Sequence, residues 1–247
     1  MLLTQITVNC KFSHRLFSAG LAVAAITFSL AMSSQAQTEI ILHNFQGKED
    51  GGFPYGGLLL DSSGNLYGTT STGGGGQTTN CSPNGCGVAF ELTKLPRLGE
   101  SVLRDFPITG GSDASLIADA AGNLYGTTLF GGSPNTCVDY NQIGCGSVFK
   151  LSHSSTGWTR TVLYGFTGGT DGALPFDRLT FDSAGNLYGT TEWGGNLSAC
   201  TNGCGTVFKL SPNGDGTWTE SVIYAFTNGA DGGGTQAPVI FDAAGNL

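Results

Sequence analysis

The sequence predicts an all-β fold: a β-propeller-like array of four-stranded blades, with three blades complete and a fourth begun. Two observations predict it. The string Gly-Asn-Leu-Tyr-Gly-Thr-Thr recurs at residues 64–70, 122–128 and 185–191, and Gly245-Asn246-Leu247 begins another copy, at successive offsets of 58, 63 and 60 residues. Other landmarks keep a fixed order around it. An aspartate stands three residues before each copy (Asp61, Asp119, Asp182, Asp242), Gly-Cys-Gly-x-x-Phe-x-Leu occupies 85–92, 144–151 and 203–210, and an apolar run closes on Phe45, Phe106, Phe166 and Phe226. Repetition at such a period marks an array of supersecondary units.

Each unit reads as four strands. In the third copy, 178–182 runs through Ser-Ala-Gly-Asn into 187–191, and Asp-x-x-Gly-Asn is hairpin chemistry. Its Asp bonds the turn backbone, and Gly or Asn takes the left-handed residue. Residues 205–210 form a third strand and the β-prone run 218–226 a fourth. No segment shows a 3.6-residue apolar period of helical length. Four antiparallel strands per unit suit a propeller blade, whereas the rungs of a β-solenoid, the competing architecture, are shorter. Residues 39–45 match a fourth, outer strand, and the last unit stops after its hairpin turn. The expectation is therefore a piece of a longer array with units at 46–106, 107–166, 167–226 and, in part, 227–247.

Composition agrees. Glycine supplies 41 of 247 residues and charged residues only 11%, while 39% are hydrophobic. A core is thus available, and glycine reads as turn chemistry. Lys11 and Arg15 are the basic residues of the N-terminal segment, so residues 37–247 carry 18 acidic against 8 basic side chains, a net charge of −10. That balance excludes nucleic acid, whose binding rests on phosphate neutralisation.

Residues 1–36 read as a signal peptide: a basic start at Lys11, His14 and Arg15, an apolar run over 16–32, and Ser34-Gln35-Ala36 with small residues at −3 and −1, so cleavage is expected before Gln37. A permanent membrane anchor is the rival, but the run is short for one. No later stretch is long and apolar enough to span, which predicts a secreted or cell-surface domain over 37–247.

Six cysteines follow the leader, two per unit, in the loop between second and third strands. An even count, export and local pairing predict the disulfides Cys81–Cys86, Cys137–Cys145 and Cys200–Cys204. A metal site would want regular Cys-x-x-Cys spacing and histidines; the spacings vary and only His43 and His153 are present.

Catalytic motifs are missing: no phosphate loop, His-Glu-x-x-His or Gly-x-Ser-x-Gly occurs after the leader. Because Asp61, Asp119, Asp182 and Asp242 recur beside the same turn, they read as turn elements. A second acidic set, Asp50, Asp171 and Asp231, each followed by glycine, stands in the loops after the fourth strand. Trp193 and Phe130 occupy equivalent places before a Gly-Gly pair at the cysteine loops. Together they make a candidate ligand face for a glycan, with calcium as a conceivable cofactor, through aromatic stacking and acidic oxygens. Loop packing and solvation is the plainer reading of the same residues.

The combination of Asp-x-x-Gly-Asn-Leu-Tyr-Gly-Thr-Thr, Gly-Cys-Gly-x-Val-Phe-Lys-Leu and Leu-Tyr-x-Phe-x-x-Gly-x-Asp-Gly resembles the bacterial Gloeo_Verruco (GloVer) tandem repeat over roughly 39–247. Proteins of this kind are called choice-of-anchor, because differing C-terminal sorting signals follow the repeats. The resemblance implies an extracellular or surface-associated protein, with no established activity and no catalytic residues to carry over. The chain departs from the pattern where the second unit is three residues shorter between Phe106 and Asp119, and where the first lacks the tryptophan found at Trp158 and Trp218. Two functions remain: a non-catalytic module that binds a glycan or another surface protein, and an exported carbohydrate-active hydrolase or lyase, which needs two facing carboxylates.

Overall fold

The computed structural model describes residues 40–75, 85–94, 99–106, 111–132 and 144–247. The signal-peptide reading, Cys81 and Cys137 lie outside them. Residues 41–247 form one compact unit. It is all β, with no helix among the described residues.

Three antiparallel sheets follow one another along the chain. The first contains β1 (Leu59–Leu60), β2 (Leu66–Thr69), β3 (Val88–Leu92) and β4 (Glu100–Asp105). The second contains β5 (Ile117–Ala118), β6 (Leu124–Thr128), β7 (Ser147–Ser154) and β8 (Gly157–Gly165). The third contains β9 (Ala173–Pro175), β10 (Thr180–Phe181), β11 (Leu187–Trp193), β12 (Thr206–Pro212) and β13 (Trp218–Ala225). Neighbours in sequence are neighbours in each sheet, and β9 adds a short ladder to the end of β11, Trp193 opposite Ala173. Sequence reasoning had no sign of β9. Conversely, residues 40–45 form no strand; Ile40 and Ile41 are two-thirds exposed.

Period-two patterning places the core. Along β12, Thr206, Phe208 and Leu210 are buried while the residues between them are half-buried, as side chains alternate across a pleat. Each sheet also shifts register at one equivalent place, Ala89/Phe90, Val148/Phe149 and Val207/Phe208, a bulge that bends the strand where the largest side chain enters. That phenylalanine explains the invariant glycine opposite it. A Cβ on Gly189 would stand 2.6 Å from Cζ of Phe208, and one on Gly68 2.5 Å from Cζ of Phe90. Only the bare backbone leaves room for the ring.

Three devices join each unit to the next. The closing phenylalanine of one packs on the core phenylalanine of the following one: Phe45 on Phe90 at 4.9 Å, Phe106 on Phe149 at 5.4 Å and Phe166 on Phe208 at 5.1 Å between centroids. Such pairs add about 0.5–1.5 kcal/mol beyond area burial. Secondly, the first threonine of each Thr-Thr donates to a carbonyl five residues before the next hairpin aspartate: Thr69 to Ala114 at 2.9 Å, Thr127 to Asp177 at 3.5 Å and Thr190 to Ala237 at 2.9 Å. Thirdly, at the later two joints the cysteine carbonyl accepts from the next unit, Leu174 N to Cys145 O at 2.8 Å and Gly234 N to Cys204 O at 2.9 Å. Leu174 reaches this bond in the left-handed region, at φ 54°, a strain of order 1 kcal/mol or more for a non-glycine residue.

Candidate functional site

The hairpin aspartates are turn elements. Oδ1 of Asp182 accepts from the backbone N–H of Ala184 and Asn186, both at 2.9 Å, and Oδ2 from Asn186 Nδ2 at 2.6 Å and Tyr188 Oη at 3.0 Å. Asp119 repeats the set with Ala121, Asn123 and Tyr125, and Asp61 with Ser63, Asn65 and Tyr67. Desolvation opposes charge on these carboxylates, but the hydrogen bonds outweigh it and hold all three below the ordinary aspartate value.

The second acidic set is bound into its own loops. Asp171 accepts from Tyr164 Oη at 3.0 Å, Thr167 N at 2.8 Å and Thr167 Oγ1 at 2.6 Å. Asp231 repeats this with Tyr224 and Thr227 and adds Gly229 N; the Thr227 hydroxyl above all lowers its pKa to about 2. Asp50 accepts from Gln46 N at 2.9 Å and pairs with His43 at 3.2 Å. The glycine that follows is required: Gly172 has φ 107°, and a Cβ there would lie 2.5 Å from Thr191 Oγ1.

The structure brings the Asp-Gly and cysteine loops together, since Gly195 N donates to Gly169 O at 2.9 Å and Gly74 N to Lys48 O. Cys200 and Cys204 form a disulfide, and Cys86 and Cys145 are disulfide-bonded as well. Trp193 ends strand β11, and both it and Phe130 are half-buried against the core cluster that holds Phe166 and Phe208. Among the described residues no group of three His, Cys, Asp or Glu side chains is placed to hold a metal ion, and no helix is long and apolar enough to cross a membrane.

Charged side chains are also half-buried where units meet. Equivalent positions on β4, β8 and β13 hold Glu100, Arg160 and Glu220. The Arg160 guanidinium lies 5.3 Å from the Phe149 ring centre and 5.8 Å from that of Phe106; burial, then the Arg104 charge, pushes its pKa down to about 10. One carboxylate oxygen of Glu220 is buried without a hydrogen-bond partner. Burial, and after it the charge of Asp171, pushes Glu220 up to about 7.

A cavity of about 430 Å³ opens between the units. Tyr55, Gly56, Gly57, Asp113, Ser115, Phe176, Asp177 and Gln236 line it. They come from the stretch that leads into β1, β5 and β10 and its counterpart in the fourth unit. Four of them, Tyr55, Asp113, Phe176 and Gln236, hold one address, six residues before the hairpin aspartate. The preceding unit positions two of these: Ser71 Oγ donates to Asp113 Oδ1, and Gln236 Nε2 donates to Glu192 Oε1 at 3.0 Å. Ser71 and Glu192 are themselves equivalent, each directly following a Thr-Thr pair. At two joints the same pair of addresses is therefore bridged by a hydrogen bond between different side chains.

The repeated hairpin and seam geometry agrees with a comparison along the chain: the family model of the Gloeobacter/Verrucomicrobia repeat matches residues 17–247. The chain belongs to that family. No curated protein matches it. The Gloeobacter/Verrucomicrobia repeat thus assigns a frame, and the frame is what the invariant residues build. Sequence reasoning placed the ligand face on the Asp-Gly and cysteine loops and passed over the cavity. The signal was present: once units are aligned on the hairpin aspartate, the address six residues before it holds a different side chain in every copy.

Proposed function

We propose that the chain is a non-catalytic binding module of the cell exterior, exported by its leader, built as blades of a β-propeller array, and receiving its ligand in the cavity between the units. One observation supports this above all: four units of near-identical frame each deliver a different side chain, Tyr55, Asp113, Phe176 and Gln236, to the same cavity. Radial repetition around a channel produces such convergence, and a rigid scaffold with variable insertions is where recognition is usually placed. The loop face is a weaker candidate, because Asp171, Asp231 and Asp50 already hold their own turns and Trp193 and Phe130 pack on the core. The volume lies within the usual range of small-molecule sites, about 300–1,000 Å³.

The test is calorimetric titration of glycans and peptides into the whole chain, with Phe176→Ala and Trp193→Ala in parallel. Loss with Phe176→Ala and retention with Trp193→Ala is expected; the reverse places the site on the loops and overturns the cavity reading. Export is tested by N-terminal sequencing of protein secreted from a bacterial host, which should begin at Gln37.

One observation favours the competing reading, an exported carbohydrate-active hydrolase or lyase. Asp113 and Asp177 line the same cavity, and glycoside hydrolysis needs a carboxylate pair. Turnover of aryl glycosides that vanishes in Asp113→Asn would establish it.

A further inference from the structure

Resting on the cavity as the ligand site, we infer that its ligand is an organic cation with N–H donors, an alkylammonium or guanidinium group. The cavity makes the site, and its walls choose the charge. Of the eight lining residues two are carboxylates, two are aromatic and none is basic. The hydrogen bonds that orient the carboxylates come from neutral donors: Ser71 Oγ for Asp113, and the Arg178 backbone N–H, at 2.6 Å, for Asp177. Neither aspartate takes part in the ion pair found among the described residues, which joins His43 to Asp50. Among the described residues neither of these two cavity-lining carboxylates has a counter-ion.

The remaining polar groups of the lining are mixed. One amide N–H of Gln236 is spent on Glu192, which leaves its carbonyl oxygen as an acceptor and sets another carboxylate behind the wall. Ser115 Oγ accepts from Gly57 N at 2.8 Å. The Ser115 and Tyr55 hydroxyls and the second amide N–H of Gln236 remain as donors, but the oxygens of the two carboxylates and of the Gln236 amide outnumber them, so the lining matches a ligand that is mostly donor. An ammonium has three N–H donors and a guanidinium five, with no acceptor on either. Tyr55 and Phe176 supply π faces, and a cation over such a face gains about 0.5–2 kcal/mol. A neutral sugar brings as many acceptors as donors and gains nothing from the two charges. An anion is repelled.

The cation has two sources, a free amine or a lysine or arginine side chain of a peptide, and the assay separates them. The full chain is titrated with agmatine, with Nα-acetyl-lysine methylamide, with its neutral analogue Nα,Nε-diacetyl-lysine methylamide, and with methyl glucoside. The two cations are expected to bind, more weakly as salt screens the carboxylates, and the neutral probes to bind at least about tenfold more weakly. Asp113→Asn and Asp177→Asn, checked for unchanged circular dichroism, should each lower cation affinity about tenfold, the factor that 1.4 kcal/mol represents for a lost charge-assisted bond. Preference for agmatine assigns a free amine, and preference for the lysine derivative a protein partner. If a neutral probe binds as well as the cations and is lost in Phe176→Ala, the cation inference fails while the cavity reading stands. If no probe and no glycan or peptide binds, both fall.

Discussion

The hairpin aspartates and the residues six positions before them lie within one short stretch of every unit, yet they behave as opposites. Asp61, Asp119 and Asp182 are the same residue doing the same work, each accepting four hydrogen bonds from its own turn. Tyr55, Asp113, Phe176 and Gln236 share an address and no chemistry, and they meet in a cavity. In a repeat array a residue demanded by every copy answers to the unit, whereas one that differs between copies is free to answer to something shared by all the units. Identity marks the frame, and on the reading proposed above variation at a fixed address marks the place where the frame is used.

The frame should respond most strongly to the loss of its central ring. Phe208 is fully buried, lies 5.1 Å from Phe166 and fills the space above Gly189. Phe208→Ala is expected to cost about 3–5 kcal/mol, read by urea denaturation, with Phe208→Leu losing less. An alanine variant no weaker than one at the cavity wall would break the distinction between frame and site.

A smaller effect is expected at the turn. Asp182→Ala removes a carboxylate that serves four donors and should cost about 1–2 kcal/mol once solvent screening of a partly exposed group is allowed for. The loss should depend on pH. Hydrogen bonding lowers the folded pKa of Asp182 below its ordinary value of 3.8 despite desolvation, so the contribution is complete above the unfolded value and is lost as pH falls through the folded one. Wild-type and variant melting temperatures should differ at pH 7 and converge towards pH 2. A gap that stays constant would mean that the charge plays no part.

Most of this frame was legible in the sequence, because it is local. Each hairpin lies within a few residues of its aspartate, and the strands at 187–191, 205–210 and 218–226 emerge within two residues of where the β-forming runs placed them. What escaped depends on contacts between units. Residues 40–45 carry an outer-strand pattern, but a strand exists only where a partner completes its ladder. Strand β9 exists because Ala173 and Pro175 happen to face the end of β11. Trp193 read as a loop aromatic, although the same ladder makes it the last residue of a strand. The cavity is the extreme case: its walls are some 60 residues apart in sequence, and no two of its four equivalent side chains are alike.

Glu220 sharpens the comparison from a third direction, since it is a variable residue that lies in the frame. Burial and the charge of Asp171 raise its pKa from 4.5 to about 7. The folded chain therefore holds this proton more tightly than the unfolded chain, and stability falls as pH rises from about 4.5 to 7. Glu220→Gln should remove that fall, leaving the variant about 1–3 °C more stable than wild type at pH 8 and nearly equal to it at pH 4. Greater stability of the wild type at pH 8 would show that the ionised carboxylate has a partner in solution.

The smallest expected effect on stability is also the most discriminating. Tyr55 is 69% exposed and stacks only loosely on Phe53, with ring centres 6.1 Å apart. Surface substitutions away from caps, cores and buried polar groups usually fall within about 0.5 kcal/mol, so Tyr55→Ala should leave the urea midpoint almost unmoved. On that expectation a large aromatic at that address in the first unit contributes nothing to the fold beyond what a methyl group would. Its presence is accounted for if the cavity needs a π face, in which case Tyr55→Ala weakens ligand binding severalfold while the denaturation curve overlays the wild type. If the variant instead loses 2 kcal/mol or more, Tyr55 belongs to the frame after all, and variation between repeats no longer separates recognition from structure in this chain.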